Sequence, residues 1–105
     1  MRQQEAKFYI GQLISHLKSG YRGVVYDIDP VFSLTEEWYA AMARSLPPKD
    51  TPWYHVLVDG QGHTTYVAER HLTPDEAGRP ISHPLIDSLF SGFEDGSYKR
   101  HIVAN

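Results

Sequence analysis

The sequence contains no cysteine. The chain therefore forms no disulfide, has no thiol nucleophile and lacks the Cys ligands of common structural zinc sites. It also lacks long apolar runs, since no stretch approaches the roughly 18 apolar residues that a membrane-spanning helix needs. Residues 1–7 are polar and no apolar segment follows them, as it would in a signal peptide. These absences predict a cytoplasmic chain that does not cross a membrane, and a reducing compartment is compatible with them.

Positive charge is also scarce. Ten Lys and Arg oppose 13 Asp and Glu, giving a formal net charge of −3. The basic residues are scattered, and Lys99-Arg100 is the only adjacent pair. Proteins that bind through phosphate contacts usually show a basic footprint. The composition therefore argues mildly against nucleic acid as a partner.

What is present fits a small folded domain. The chain has 105 residues, of which 41% are hydrophobic and 12% aromatic, including seven Tyr. A chain of this length supports one core, and aromatic richness is typical of β structure. We predict a single domain over residues 1–105, with a core at about 8–76 and a C-terminal extension at 77–105.

The clearest element is a strand from Arg22 to Asp29, which follows a glycine turn and ends because Pro30 cannot donate to a ladder. Alternation along the strand predicts two faces, with Val24, Tyr26 and Ile28 on one and Val25, Asp27 and Asp29 on the other. The two carboxylates then lie about 7 Å apart on the same face.

Further strands are predicted at 13–17, 53–59 and 63–69, and a short fifth strand at Leu72 or in the tail. A capping box from Ser33 to Glu36 and the Pro47-Pro48 pair predict an inserted helix at about 34–46. A short C-terminal helix is expected within 83–90, and residues 91–105 are expected to have weak order. The fold prediction is mainly β: a small SH3-like, partly closed barrel of four or five antiparallel strands with these two helices.

Asp27 and Asp29 are the best paired carboxylates, but no calcium loop, zinc-binding His spacing, P-loop or G-x-S-x-G elbow accompanies them. His16, His55 and His63 lie on or beside predicted strands, where they can converge. We interpret His16, Asp27, Asp29 and His55 as a structural or polar site and predict no metal and no cofactor. A non-enzyme is favoured, with a hydrolase using Asp27 and Asp29 as a distant alternative.

Aromatic and basic side chains are the stronger binding candidates, because they can stack on bases or contact a protein partner. Tyr21 and Arg22 lie at a predicted hairpin tip, where side chains are usually exposed. The predicted DNA- or partner-binding set is Lys18, Tyr21, Arg22, Tyr54 and Arg70.

Several segments together carry a family resemblance. They are Tyr9-Ile10-Gly11-Gln12, Gly20-Tyr21-Arg22-Gly23-Val24-Val25, Asp27-Ile28-Asp29-Pro30, Trp53-Tyr54-His55-Val56-Leu57-Val58 and Tyr66-Val67-Ala68-Glu69. In this order, over roughly residues 8–76, the chain resembles the HspQ family, also called the YccV-like or hemimethylated-DNA-binding family. Residues 91–105 match no pattern of that family.

The resemblance implies a small cytoplasmic, oligomeric protein with a β-barrel-like core and no known catalytic residues. It implies a stress-linked regulator that binds hemimethylated DNA and modulates degradation of client proteins by the Lon protease. A second hypothesis is a protein-interaction module that serves an ATP-dependent protease without binding DNA.

Overall fold

The computed structural model describes residues 5–101 of the chain. The fold is mainly β, as predicted, and its five-stranded antiparallel sheet has the order β4-β3-β2-β1-β5. These strands are β1 (Leu13–His16), β2 (Arg22–Asp29), β3 (Trp53–Val58), β4 (Thr64–Ala68) and β5 (Leu72–Pro74). A separate hairpin pairs β6 (Phe90–Glu94) with β7 (Ser97–Arg100). The two helices are α1 (Glu36–Met42) and α2 (Ile86–Leu89).

The sheet curls into a partly closed barrel, as predicted. Its two edge strands, β4 and β5, are joined by a single 3-10 turn, Glu69–His71, so the edges approach each other without pairing. The concave face holds one buried cluster: Phe8, Ile14, Val25, Tyr54, Val56, Val67 and Leu72. β4 pairs only with β3 within residues 5–101, and this leaves one edge of β4 free.

The bounds of β2 match the prediction, but the predicted division of its faces is wrong. The register against β3 shifts between Val25 and Asp27, and such a bulge breaks the strict alternation of side chains. Val25 and Ile28 therefore both pack in the barrel core. Val24 and Tyr26 pack on the opposite, convex face of the sheet.

Helix α1 is shorter than the predicted 34–46. Its N-cap is Thr35, whose hydroxyl accepts a hydrogen bond from the Trp38 backbone N–H at 3.0 Å. Ser33, the predicted cap, instead donates its hydroxyl to the Val31 carbonyl. The helix ends at Met42, and the C-cap residue Ala43 leaves the helical conformation. Neither helix of the described residues has the length and apolar character needed to cross a bilayer.

The expectation of weak order beyond residue 91 is wrong for the described part of that segment. β6 and β7 form a hairpin around Asp95 and Gly96, both with positive φ. Asp-Gly is a favoured pair at such turns. Tyr98 anchors the hairpin because its hydroxyl bonds to both the N–H and the carbonyl of Ile81. Residues 102–105 lie outside the described part of the chain.

The hairpin docks on Gly11, which allows a specific prediction. Gly11 has φ +97°, and an added Cβ would lie 2.1 Å from the Tyr98 carbonyl oxygen. We expect Gly11→Ala to lower the free energy of unfolding by about 3 kcal/mol or more, since backbone strain and overpacking add. Urea denaturation measures the loss.

Gly20→Ala is the matched control. Gly20 also has a positive φ, +74°, but nothing lies within 4 Å of its added Cβ. We expect Gly20→Ala to lower the free energy of unfolding only by the cost of the strained backbone conformation, about 1–2 kcal/mol. Equal losses in the two variants would show that contact with Tyr98 contributes nothing.

Candidate functional site

A cleft of about 830 Å³ runs along β4, the edge strand of the barrel. One wall comes from α1 and the loop that follows it, and the other comes from the turn between β1 and β2. Side chains from both faces of β4 reach this cleft, because its outer edge carries no further strand. The fold therefore leaves a concave surface at the point where the barrel stays open.

The charge of the cleft differs from that of the whole chain. Lys18, Arg44 and three histidines line it, and its described lining contains no Asp or Glu. Neither Lys18 nor Arg44 takes part in an ion pair within residues 5–101. The protein is thus acidic overall but presents positive charge here.

Arg70 lies at the edge of this region, and its guanidinium donates to the Ser45 carbonyl at 2.8 Å. The Ser45 hydroxyl is in turn 2.9 Å from His71 Nε2. These contacts join the loop after α1 to the 3-10 turn after β4. They hold a third cation, Arg70, next to the cleft.

His16 and His71 form a stacked pair, with ring centroids 5.7 Å apart and planes at 4°. His16 Nδ1 accepts the backbone N–H groups of Lys18 and Ser19, at 3.1 and 3.0 Å. Burial lowers the pKa of both imidazoles. The charges of His71 and then Lys18 lower the pKa of His16 further, and those of Arg70 and then Lys18 lower the pKa of His71. Both rings are therefore kept neutral near pH 7.

This pair predicts acid sensitivity. Because the folded-state pKa values lie below the ordinary 6.5, the unfolded chain binds more protons. The stability that the neutral His16 and His71 rings contribute is fully present above pH 6.5. It is lost as the pH falls through their lower folded-state pKa values. Urea unfolding at pH 7.5 and 5.5 should show this loss, and His16→Gln should reduce it. A pH dependence that is unchanged in His16→Gln would contradict the assignment.

Four rings form a continuous row along the cleft. Centroid separations are 5.8 Å from Tyr26 to His55, 4.6 Å from His55 to Tyr66 and 5.5 Å from Tyr66 to Trp38. All four rings are half-buried and line the cleft. The rings are tilted against one another, with planes at 57°, 50° and 78° along the row, so the row presents partly exposed faces and edges of aromatic rings.

The Tyr66 hydroxyl fixes this row in place. It donates to Asp29 Oδ2 at 2.7 Å and accepts the Ser33 backbone N–H at 3.1 Å. Burial, and then the bond to Asp29, raise the pKa of Tyr66, so its hydroxyl keeps its proton. The Tyr66 hydroxyl therefore connects strand β4 to Asp29 at the end of β2 and to Ser33 in the segment that leads into α1.

Asp29 also contacts His55, whose Nε2 lies 3.0 Å from Asp29 Oδ2. Asp27, Asp29 and His55 could together hold a metal ion, since each offers one ligand atom and these atoms lie within 4.8 Å of one another. It is the one group of this kind within residues 5–101. His16 and His55 both line the cleft, but within residues 5–101 the predicted trio of His16, His55 and His63 forms no ligand group, and His16 stacks on His71.

The predicted binding residues separate into two groups. Lys18 and Tyr21 line the cleft, and the Tyr21 hydroxyl is 2.7 Å from Thr65 Oγ1. Arg22 lies elsewhere: its guanidinium bonds to Asp75, Asp59 and the Arg79 carbonyl. Tyr54 is fully buried in the barrel core, where its hydroxyl donates to Glu69.

Sequence reasoning missed Arg44, His71 and the ring row as parts of a site. Trp38 lies within the predicted helix at 34–46 and Tyr66 within the predicted strand at 63–69, and neither position carries a site motif. Arg44 directly follows the C-cap of α1, and only the fold of the loop brings it to the same cleft as His71. A local motif does not carry such information.

The model of a family described as "YccV-like: Hemimethylated DNA-binding protein YccV like" matches residues 6–97. The matched range includes β1 to β6, the cleft and most of the described C-terminal hairpin.

Proposed function

The chain belongs to the YccV-like family, and from this membership we propose that it binds DNA, hemimethylated DNA in particular, through the cleft beside β4. The carrying observation is the charge of the cleft: Lys18 and Arg44 line it, Arg70 borders it and none of the carboxylates in residues 5–101 lines it. Phosphate contacts from Lys and Arg supply most of the affinity of DNA binders. The net charge of −3 is compatible with DNA binding, because the phosphate backbone of the DNA contacts the positively charged cleft and not the whole protein surface.

Fluorescence anisotropy with a labelled hemimethylated duplex tests the proposal. Affinity should fall as salt rises, with a slope of log K against log salt near −2.7 if about three phosphates are neutralised. A competition series with unmethylated and fully methylated duplexes of the same sequence measures the preference. The absence of binding at low salt would refute DNA binding, and equal competition would refute the hemimethylated preference.

We further propose that the protein is a stress-linked, cytoplasmic regulator that modulates the degradation of client proteins by a Lon-type protease. The resemblance to the HspQ family supports this role. In this account residues 1–105 act as one domain and assemble into homo-oligomers. Exposed apolar side chains outside the cleft, such as Leu17 and Leu46, at 60% and 67% exposure, are available for such contacts. Degradation of a Lon client with and without the protein tests the regulatory role, and unchanged turnover would contradict it.

A second candidate is a protein-interaction module without DNA binding. The free edge of β4 favours it, because an extended peptide can add to an unpaired edge strand through main-chain hydrogen bonds. Thr64→Pro would remove a main-chain N–H on the free edge, because Thr64 lies next to His63, whose carbonyl pairs with the Val58 N–H across the sheet. Thr51→Pro, which changes a loop outside the sheet, is the control. Loss of client turnover in Thr64→Pro with DNA affinity unchanged would support this candidate, and unchanged turnover would count against it.

The hydrolase alternative has a direct test in Asp27→Asn and Asp29→Asn. Asp29 already accepts hydrogen bonds from Tyr66 and His55, which supports a role in positioning the ring row. We propose a non-enzymatic protein. Hydrolysis that is present in the wild type and lost in Asp27→Asn would overturn this.

A further inference from the structure

The cleft pairs its positive charge with an aromatic wall. The ring row of Tyr26, His55, Tyr66 and Trp38 lies beside the same opening that Lys18 and Arg44 line. A ligand that satisfies both surfaces combines a flat aromatic ring with a negative charge. A nucleotide with an unpaired base has this chemistry, and base–aromatic stacking combined with a basic groove is how proteins bind unpaired bases.

A paired duplex does not present that ligand. In a duplex, base faces are covered by their stacked neighbours, and only base edges and phosphates are accessible. The ring row is half-buried inside the cleft, so a duplex lying across the rim contacts the cations without covering the rings. For a base to reach the rings, it has to leave the stack.

Two apolar side chains stand where they can assist this step. Leu34 and Met42 flank Trp38 on the same wall of the cleft and are 40% and 63% exposed. Exposed Leu and Met side chains serve as wedges that partly unstack a base step in other DNA-binding proteins. Leu34 and Met42 belong to the same short segment of chain as Trp38, the outer ring of the row.

The platform is also preorganised. Tyr66 is held by Asp29 and by the Ser33 N–H, and Trp38 packs edge-on against Tyr66 with planes at 78°. Little side-chain freedom is then lost when a base stacks, which favours binding.

We propose that the ring row receives one base displaced from the DNA duplex and stacks it, with Trp38 as the outer platform. This rests on the proposed DNA binding and adds the form in which the DNA is read. It implies a preference for sites at which a base leaves the stack easily, because the cost of unpairing is smallest at a mismatched base.

The test compares two labelled hemimethylated duplexes that differ only by one central mismatch, with anisotropy as the readout. We expect the mismatched duplex to bind about tenfold more tightly, which equals about 1.4 kcal/mol. Trp38→Ala should abolish the preference, and Trp38→Phe, which keeps a ring, should retain most of it. Tyr26→Leu, at the other end of the row, provides a second variant should Trp38→Ala unfold, and it should reduce the preference.

The outcomes separate this inference from the proposed function. If both duplexes bind equally with a normal salt dependence, base displacement is refuted and DNA binding stands. A preference for the mismatch that persists in Trp38→Ala and in Tyr26→Leu refutes the assignment to the ring row. If neither duplex binds, both proposals fail and the free edge of β4 becomes the site to pursue with peptides.

Discussion

Trp53→Ala is expected to lower the free energy of unfolding by about 3–5 kcal/mol, the usual cost of removing a buried Trp. Trp53 is 1% exposed, and its ring lies 5.0 Å from Phe32 and 5.2 Å from Tyr66. Its indole N–H also donates to the Pro48 carbonyl at 3.0 Å. The residue therefore joins the sheet to the α1 insertion.

Urea denaturation measures this loss, and Trp53→Phe serves as the control because it keeps a ring in the same cavity. We expect the Phe variant to lose clearly less stability than the Ala variant. A loss below about 1 kcal/mol for Trp53→Ala would be typical of a surface position and would contradict the packing described. Because Trp53 supports Tyr66, the Ala variant should also bind DNA more weakly under conditions where it stays folded.

The second large effect concerns DNA affinity. We expect the double variant Lys18→Ala/Arg44→Ala to bind a hemimethylated duplex about a hundredfold more weakly, at about 1.4 kcal/mol for each lost cation. Both side chains line the cleft and are exposed, so their removal should leave stability nearly unchanged. Anisotropy at fixed salt measures the loss.

Lys99→Ala/Arg100→Ala is a matched control. It removes the same two residue types, leaves the same net charge, and alters exposed positions on β7 away from the cleft. If the effect depended only on net charge, both double variants would lose the same amount of DNA affinity. Equal losses would therefore contradict the assignment of the cleft as the interface.

Much of the fold could be predicted because it depends on local signals. The glycine turn and Pro30 define β2, and the Pro47-Pro48 pair lies beyond the end of α1. The hairpin of β6 and β7 was missed although Asp95-Gly96 is a strong turn signal. Its flanking strands are short and mostly polar, and their stability comes from Tyr98 packing on the sheet.

The candidate site was much less predictable, since it depends on contacts between distant segments. Lys18, Arg44 and His71 come from a turn, a loop and a 3-10 segment, and their scatter in the sequence suggested no basic surface. The bulge in β2 likewise has no clear local signal, yet it decides which face Val25 and Ile28 occupy. Arg22 appeared exposed at a hairpin tip, but Asp59 and Asp75 engage it from other parts of the chain.

The central claim is that DNA binds in the cleft beside β4. Amide chemical shifts recorded while a hemimethylated duplex is titrated into the labelled protein test it most directly. We expect the largest shifts in residues 16–21, 44–45 and 64–71, with little change in the hairpin at 90–100. Shifts concentrated in that hairpin, with the cleft unaffected, would contradict it.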